Sequence, residues 1–451
     1  MKIKFLSKNP LTGGIILNVL AMIIIAAPAS SEVTQSAVIA MAAGDYSSGA
    51  HAVVSVDPVG GPRTLQEDMV PSGSDLTIVA HGDYFYRMEQ SGANNITKFD
   101  INDPGTPIWQ FSTEGSEINS NPHDMVFVSD TKAYLLRYGS PIMWVVNPSA
   151  TTEDEFKTGE IDLSAYADSD GIPDMHSGVV VDGLLYVAMQ RVDFSGGYYN
   201  IVYNTPWVAV YDTTDDSEVD TGQESGALLG IPLPMENPGT IQYIKANNTI
   251  YVQGTGQYTT QYTSGIATID PSTYEAELIL DDGDETNHPY GAISGMVIVS
   301  PTKGYFIGYE EWGNNTLYCF DPSAKNPVGT AIPGLEQMSI GGTETGAYID
   351  KNNMLWICAA TYDPDTWSLI DPQVIILNTQ DDTVDETIAA KMNPLKVVFT
   401  GEGTATGEGD DDDSNNNCFI SSAGSGSSLS GLLFLFVVLF SSFRIYVVKM
   451  P

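Results

Sequence analysis

The sequence predicts an all-β protein. The expected form is a seven-bladed β-propeller closed by a C-terminal strand that completes the first blade, flanked by a signal peptide and a C-terminal transmembrane segment. Three observations carry this. Apolar alternation running into Asp or Asn recurs seven times, at VVSVDP (Val53–Pro58), ITKFDI (Ile96–Ile101), MWVVNP (Met143–Pro148), VAVYDT (Val208–Thr213), IATIDP (Ile266–Pro271), LYCFDP (Leu317–Pro322) and VIILNT (Val374–Thr379). Successive marks are 43, 47, 65, 58, 51 and 57 residues apart, and the shortest steps match the roughly 40–50 residues of a propeller blade. Finally, the first copy lacks a leading strand while an unassigned apolar stretch, Leu395–Phe399, follows the last one.

Each element follows from local pattern. Hairpin signals precede the marks, as in SDTKAYLLRYG (Ser129–Gly139), VDGLLYVAMQR (Val181–Arg191) and PTKGYFIGY (Pro301–Tyr309), where tight-turn residues separate β-rich runs. Inner strands are expected at Leu76–Ala80, Met125–Val128, Val179–Val181, Ile241–Ile244, Met296–Val299 and Tyr348–Ile349. Weaker outer strands are expected at Ile108–Phe111, Glu160–Leu163, Leu228–Ile231, Ala276–Leu280, Thr330–Ile332 and Thr387–Lys391. Four strands in that order make a propeller blade. The array starts at a second strand, Ala37–Ala42, so Leu395–Phe399 is expected to complete blade 1 and remove the open edges. The propeller thus spans residues 37–399. A pair of β-sandwiches does not explain seven four-stranded units.

The ends read as addresses. Lys2, Lys4 and Lys8, the apolar run Ile15–Ala27 and Ala27-Pro28-Ala29 form a signal peptide over residues 1–29, with the mature chain starting near Ser30. An uncleaved anchor is the alternative, although the run is short for a span. Residues 400–428 are an acidic, Gly/Ser-rich spacer that contains Asp410–Asp413 and Cys418-Phe419-Ile420. Residues 429–448 form an apolar segment just long enough to cross a bilayer, with Arg444 and Lys449 near its end. Fifty-seven acidic residues against 18 basic give a net charge of -39, which excludes nucleic acid as a natural partner.

With these residues in view, the body resembles the YVTN-type, lactonase-like seven-bladed propellers of secreted bacterial proteins. The stretches GEIDLSAYADSDGIPDM (Gly159–Met175) and LLYVAMQRVDF (Leu184–Phe194) look like a surface-anchored branch of that group. The literal Tyr-Val-Thr-Asn signature is absent, and no catalytic residue transfers. The C-terminal order of short motif, apolar helix and basic end resembles bacterial sorting tails with a Cys-Phe-Ile box. That resemblance implies a sorting protease as partner, a cell-surface or periplasm-facing location, and Cys418 as the residue modified or lipidated. A permanent single-span membrane anchor follows from the same apolar run and stays open; a glycolipid-anchor signal shares the layout but fits the basic end less well.

Candidate chemistry sits on loops. Connections from second to third strands and from outer to next inner strands emerge on one propeller face, and here they are the long ones. They carry Phe194, Tyr198, Tyr199, Tyr203, Tyr258, Tyr262, Trp312, Tyr362 and Trp367, which suit a glycan or peptide; the alternative is that the rings pack loop on loop. Arg87, Arg137 and Arg191 end second strands in consecutive blades and are expected to ring the channel mouth for a carboxylate or phosphate, unless neighbours such as Asp124 or Asp193 occupy them.

His123, Asp124, His176 and His288 lie in outer-to-inner connections, where imidazoles could bind a divalent metal. Aligned on the strand that follows, the histidines do not fall at one position, since His288 lies several residues upstream. Asp168, Asp170 and Asp174 around Gly171 have the carboxylate spacing of a calcium loop without its terminal Glu, so calcium is the one cofactor suggested, against a solvated acidic turn. No nucleophile elbow, phosphate loop or His-Glu-x-x-His appears. Cys319 and Cys358 are read as buried thiols rather than a disulfide. Three functions compete: a tethered binding propeller; a metal-dependent hydrolase or lactonase, which needs three of His123, Asp124, Asp174, His176 and His288 around one point; and a structural envelope component that binds another protein.

Overall fold

Alternating apolar residues and tight polar turns leave this chain one economical solution, antiparallel hairpins stacked about an axis. The computed structural model describes residues 35–401, apart from 117–118, 198–199, 224–225, 259–261, 312, 341–346 and 367. Blade 1 is built from Asn393–Thr400, Ser36–Ala42, Gly49–Ser55 and Gln66–Ser72. Blade 2 contains Leu76–His81, Tyr84–Glu89, Asn95–Asp100 and Asp103–Ser112. Blade 3 contains Pro122–Ser129, Lys132–Arg137, Ile142–Val146 and Lys157–Asp162. Blade 4 contains Met175–Val181, Leu184–Met189, Trp207–Asp212 and Ile231–Pro232. Blade 5 contains Pro238–Ile244, Thr249–Gly254, Gly265–Ile269 and Ala276–Asp281. Blade 6 contains Ala292–Ser300, Lys303–Glu311, Asn314–Phe320 and Thr330–Ala331. In blade 7, Ser339–Ile340 and Ala347–Ile349 both pair with Met354–Asp363, followed by Ser368–Asn378 and Thr383–Ala389.

The C-terminal strand closes the ring as expected. Asn393–Thr400 pairs antiparallel with Ser36–Ala42, from Ser36 opposite Thr400 to Ala42 opposite Asn393. Arg63, its side chain buried, reinforces the closure by an ion pair of 2.6 Å to Glu386 on the outer strand of blade 7. Turn chemistry matches the sequence: Asp182 and Gly183 have φ of 48° and 79°, the double positive φ of a two-residue hairpin turn.

The core is distributed along the seams between blades. Leu136, Met143, Leu163 and Met175 pack between blades 3 and 4, and Val179, Leu233 and Val252 between blades 4 and 5. Tyr251, Ile266, Tyr290 and Phe306 fill the seam of blades 5 and 6. Lys132 and Tyr134 of blade 3 both bond Asp216 of blade 4, and Lys303 and Tyr305 of blade 6 repeat the clamp on Asp382 of blade 7.

Among the described residues no helix is long and apolar enough to cross a membrane; the only α-helix is Glu153–Phe156. The expected signal peptide, the spacer beyond Gly401, Cys418 and the apolar segment 429–448 lie outside the described residues. Cys319 and Cys358 are free thiols, and burial raises the Cys358 thiol far above its usual range.

Candidate functional site

The axis of the ring is lined by inner strands, and those of five blades share a device. A β-bulge interrupts the register at His123 in blade 3, His176 in blade 4, Gly239 in blade 5, Ser294 in blade 6 and Leu395 in blade 1. The residue after each bulge is Asp124, Ser177, Thr240, Gly295 or Lys396. The segment leading into it repeats as NPHD (Asn121–Asp124), NPGT (Asn237–Thr240) and NPLK (Asn393–Lys396), with Asp174 taking the Asn position in blade 4. Asn121, Asp174 and Asn237 have φ of 45°, 56° and 54°. Asn and Asp tolerate this left-handed conformation, which marks the entry to each of these inner strands.

The sequence-predicted His123, Asp124 and His176 converge here, joined by Lys396 and Thr77, which sequence reasoning missed. Lys396 donates to Thr77 Oγ1 at 3.2 Å, and Asp124 accepts from the Gly178 and Met125 backbone N–H groups at 3.1 and 2.9 Å. Asp124 and Lys396 are buried. Burial pushes the Asp124 carboxyl up to about 6, against the pull of Lys396. Burial lowers Lys396 to about 8, against the pull of Asp124. The His123 ring stacks on Tyr138 at 4.2 Å and meets His176 edge-on at 5.0 Å. Burial, then the proximity of His176 and Lys396, hold His123 well below its ordinary value, so it is neutral at pH 7. His288 is elsewhere, exposed in the loop before blade 6, where its Nδ1 lies 3.1 Å from Asp284 O.

The arginines are committed to the scaffold. Arg87 is buried; its guanidinium donates to Val70 O and His51 Nδ1 and pairs with Glu89 at 3.3 Å. Arg137, also buried, donates to Thr113 O at 2.9 Å and Ile142 O at 3.0 Å and lies over the Trp144 ring. Arg191 is half-buried and donates to Tyr166 O and Thr205 O at 2.7 and 2.8 Å. Backbone carbonyls hold all three, with Glu89 and His51 also taking Arg87, so they are not displayed as a ring for an anion.

The acidic loop before blade 4 brings carboxylates together. Ligand atoms of Asp168, Asp170 and Asp193 lie within 4.8 Å of one another, and this is the only such trio of His, Cys, Asp or Glu among the described residues. Asp170 is pushed up to about 6 by burial and by Asp168. Asp174, buried behind them, accepts from Val192 N at 2.7 Å.

On the long-loop face, Phe194 and Tyr203 of blade 4 pack on Tyr258 of blade 5 with ring centroids 6.2 and 6.1 Å apart, and Tyr258 N donates to Tyr203 Oη. Tyr262 packs on His288 at 4.8 Å. The hairpin tips of blades 6 and 7 meet where Gly313 faces Tyr362; a Cβ on Gly313 would lie 2.1 Å from Tyr362 Cβ. Tyr198, Tyr199, Trp312 and Trp367 fall outside the described residues. The face is lopsided. Blades 2 and 3 carry the short connections 90–94 and 138–141, whereas blades 4 and 5 carry 190–206 and 255–264, and blades 6 and 7 extend their strands to Glu311 and Asp363.

No protein-family model matches the chain, and no curated protein matches it in sequence. Solved structures do. The periplasmic gluconolactonase of Pseudomonas aeruginosa is similar over 81% of this chain and 99% of its own, at 12% identity and a TM-score of 0.54. This chain shares its fold. A candidate 6-phosphogluconolactonase of Bacteroides fragilis matches over 83% and 99%, at 11% identity and a TM-score of 0.55. A Lactobacillus plantarum protein matches over 81% and 99%, at 12% identity and 0.53. At such identities the likeness is one of architecture.

Proposed function

We propose that this protein is an exported, membrane-tethered propeller that binds a glycan, peptide or protein on its long-loop face. The observation that carries this reading is the lopsided face: blades 4 to 7 raise a wall of long connections with half-buried aromatic rings beside the low blades 2 and 3. Rings fixed in place lose little entropy on binding and offer flat apolar area next to polar groups. In this reading residues 1–29 direct export, 429–448 hold the chain at a membrane facing the periplasm or the cell surface, and a sorting protease acts near Cys418.

The competing reading is a metal-dependent hydrolase or lactonase at the channel mouth. The pairing of His123 with His176 beside Asp124 favours it. Against it, those three do not bring ligand atoms within 4.8 Å of one another. Glycan and peptide arrays probed with the full-length protein decide. Binding that falls at least about tenfold in a Phe194→Ala/Tyr258→Ala variant supports the binding face. Lactone hydrolysis that depends on His123 and His176, with no array signal, overturns it.

A further inference from the structure

The seam between blades 5 and 6 is unlike its neighbours. The register position after the inner-strand bulge faces Leu136 in blade 3, Ala188 in blade 4 and Ile307 in blade 6, all buried and apolar. In blade 5 the same position is Gln253. The residue that follows the outer strand is Leu163 in blade 3 and Leu233 in blade 4, each packed into its seam. In blade 5 it is Asp282. Gln253 and Asp282 are both 0% exposed. Two core positions have thus become polar in one seam.

Hydrogen bonding fixes these groups and leaves oxygens over. Gln253 Nε2 donates to Ile293 O at 2.7 Å, which settles the orientation of the amide. Its Oε1 is buried without a partner. Asp282 Oδ2 accepts from the Ser264 hydroxyl at 2.6 Å, and that hydroxyl in turn accepts from Ile293 N at 2.7 Å, so both side chains sit at Ile293. Asp282 Oδ1 is buried without a partner. Thr240, the strand partner of Gln253, adds an unpartnered Oγ1 on the same sheet face.

From the loop entering blade 5, Asn237 Nδ2 donates to Gly256 O at 3.2 Å, again leaving Oδ1 over, and Glu236 contributes a buried Oε2 with no partner. Glu236 N donates to Thr263 O, one residue from Ser264, which places this loop beside the others. An orphaned buried acceptor is costly, and here every surplus atom named is an oxygen. We infer that the seam of blades 5 and 6 is a binding site for a hard divalent cation, calcium by preference, held by Asp282, Gln253 and Thr240 with Glu236 and Asn237 at its rim.

Two carboxylates and neutral oxygens are the donor set that calcium takes, whereas zinc or copper would call for nitrogen or sulfur ligands. Burial pushes Asp282 up to about 6, as expected of a carboxylate that lacks a counter-charge. The site is separate from the Asp168–Asp170–Asp193 cluster, and it lies at the base of the 255–264 and 282–291 connections, so a bound cation stiffens the wall above it.

The test is a calcium titration of chelator-treated full-length protein carrying Asp170→Asn, to silence the other cluster, read by thermal melting and calorimetry. Saturation is expected to raise the melting temperature, and Asp282→Asn to weaken binding at least tenfold. Gln253→Leu/Asp282→Leu, which copies Leu136 and Leu163 of blade 3, is expected to remain folded in chelator and to lose the calcium response. A response that persists unchanged in this double variant overturns the assignment. So does a chelator-treated protein whose melting temperature and calorimetric signal are both unmoved by calcium.

Discussion

Replacing Lys396 by Met removes the only cation that acts on Asp124 from the closing strand, and the structure sets what that costs. Lys396 and Asp124 are 2% and 0% exposed. The two charges attract through the interior without direct contact, Lys396 donating to Thr77 instead, so loss of the cation costs less than the roughly 3–5 kcal/mol of a broken buried ion pair, whereas replacing both by apolar residues is close to neutral. Lys396→Met is therefore expected to lose about 2 kcal/mol at pH 7, and Lys396→Met/Asp124→Leu to recover most of it. The pH dependence has a definite sign. Asp124 titrates at about 6 in the fold against 3.8 as its ordinary value, so the penalty on its charged form is fully present above the folded pKa and vanishes below the unfolded one. Loss of Lys396 raises the folded value further, and the deficit of the single variant is expected to shrink as pH falls from 7 to 5. Urea unfolding midpoints of the parent, the single variant and the double variant at both pH values measure this. A single variant as stable as the parent at pH 7, or a double variant no better than the single, refutes the reasoning.

Other outcomes follow from the same geometry. Asp170→Asn is expected to stabilise the calcium-free protein by about 1 kcal/mol at pH 7, the scale of one charge pair near 4 Å in water. Because Asp170 is pushed up to about 6, that gain disappears below pH 4, as thermal melts across pH will report. Gly313→Ala places a side chain at φ 77° against Tyr362, and a loss of about 1–3 kcal/mol with faster hydrogen exchange at both hairpin tips is expected. Truncation after Met392 removes the closing strand and exposes the edge of Ser36–Ala42; circular dichroism and gel filtration are expected to show an aggregating, unfolded chain.

Much of the architecture was legible because strand endings are local. Seven alternating runs into Asp or Asn located the third strands, and Leu395–Phe399 was identifiable as the closing strand from the missing member of blade 1. Weak outer strands were less so. Gln66–Ser72, with Glu67, Asp68 and Pro71, has no apolar alternation and was not expected, while Pro232 and Pro333 cut short the outer strands of blades 4 and 6.

The site residues were harder for a physical reason: their partners lie a blade away. Arg137 reads as a surface cation until Thr113 O, 24 residues back, appears beside it. The sequence singled out His123, Asp124 and His176 but not Lys396, although the Asn-Pro-x-polar repeat at 121, 237 and 393 was a usable signal. Gln253 and Asp282 look like ordinary loop-flanking polar residues until blade register sets them where Leu136 and Leu163 belong.

The closing pairing also acts as a clock. Thr400 bonds Ser36 across 364 residues of chain, so as the polypeptide is made the first three strands of blade 1 must wait, one edge bare, for nearly the whole body to appear. Contacts this distant in sequence form late and slowly. A chain cut just before residue 393 carries the strands of blades 2 to 7 yet never acquires its latch, so ring closure reports that synthesis has passed the end of the propeller body.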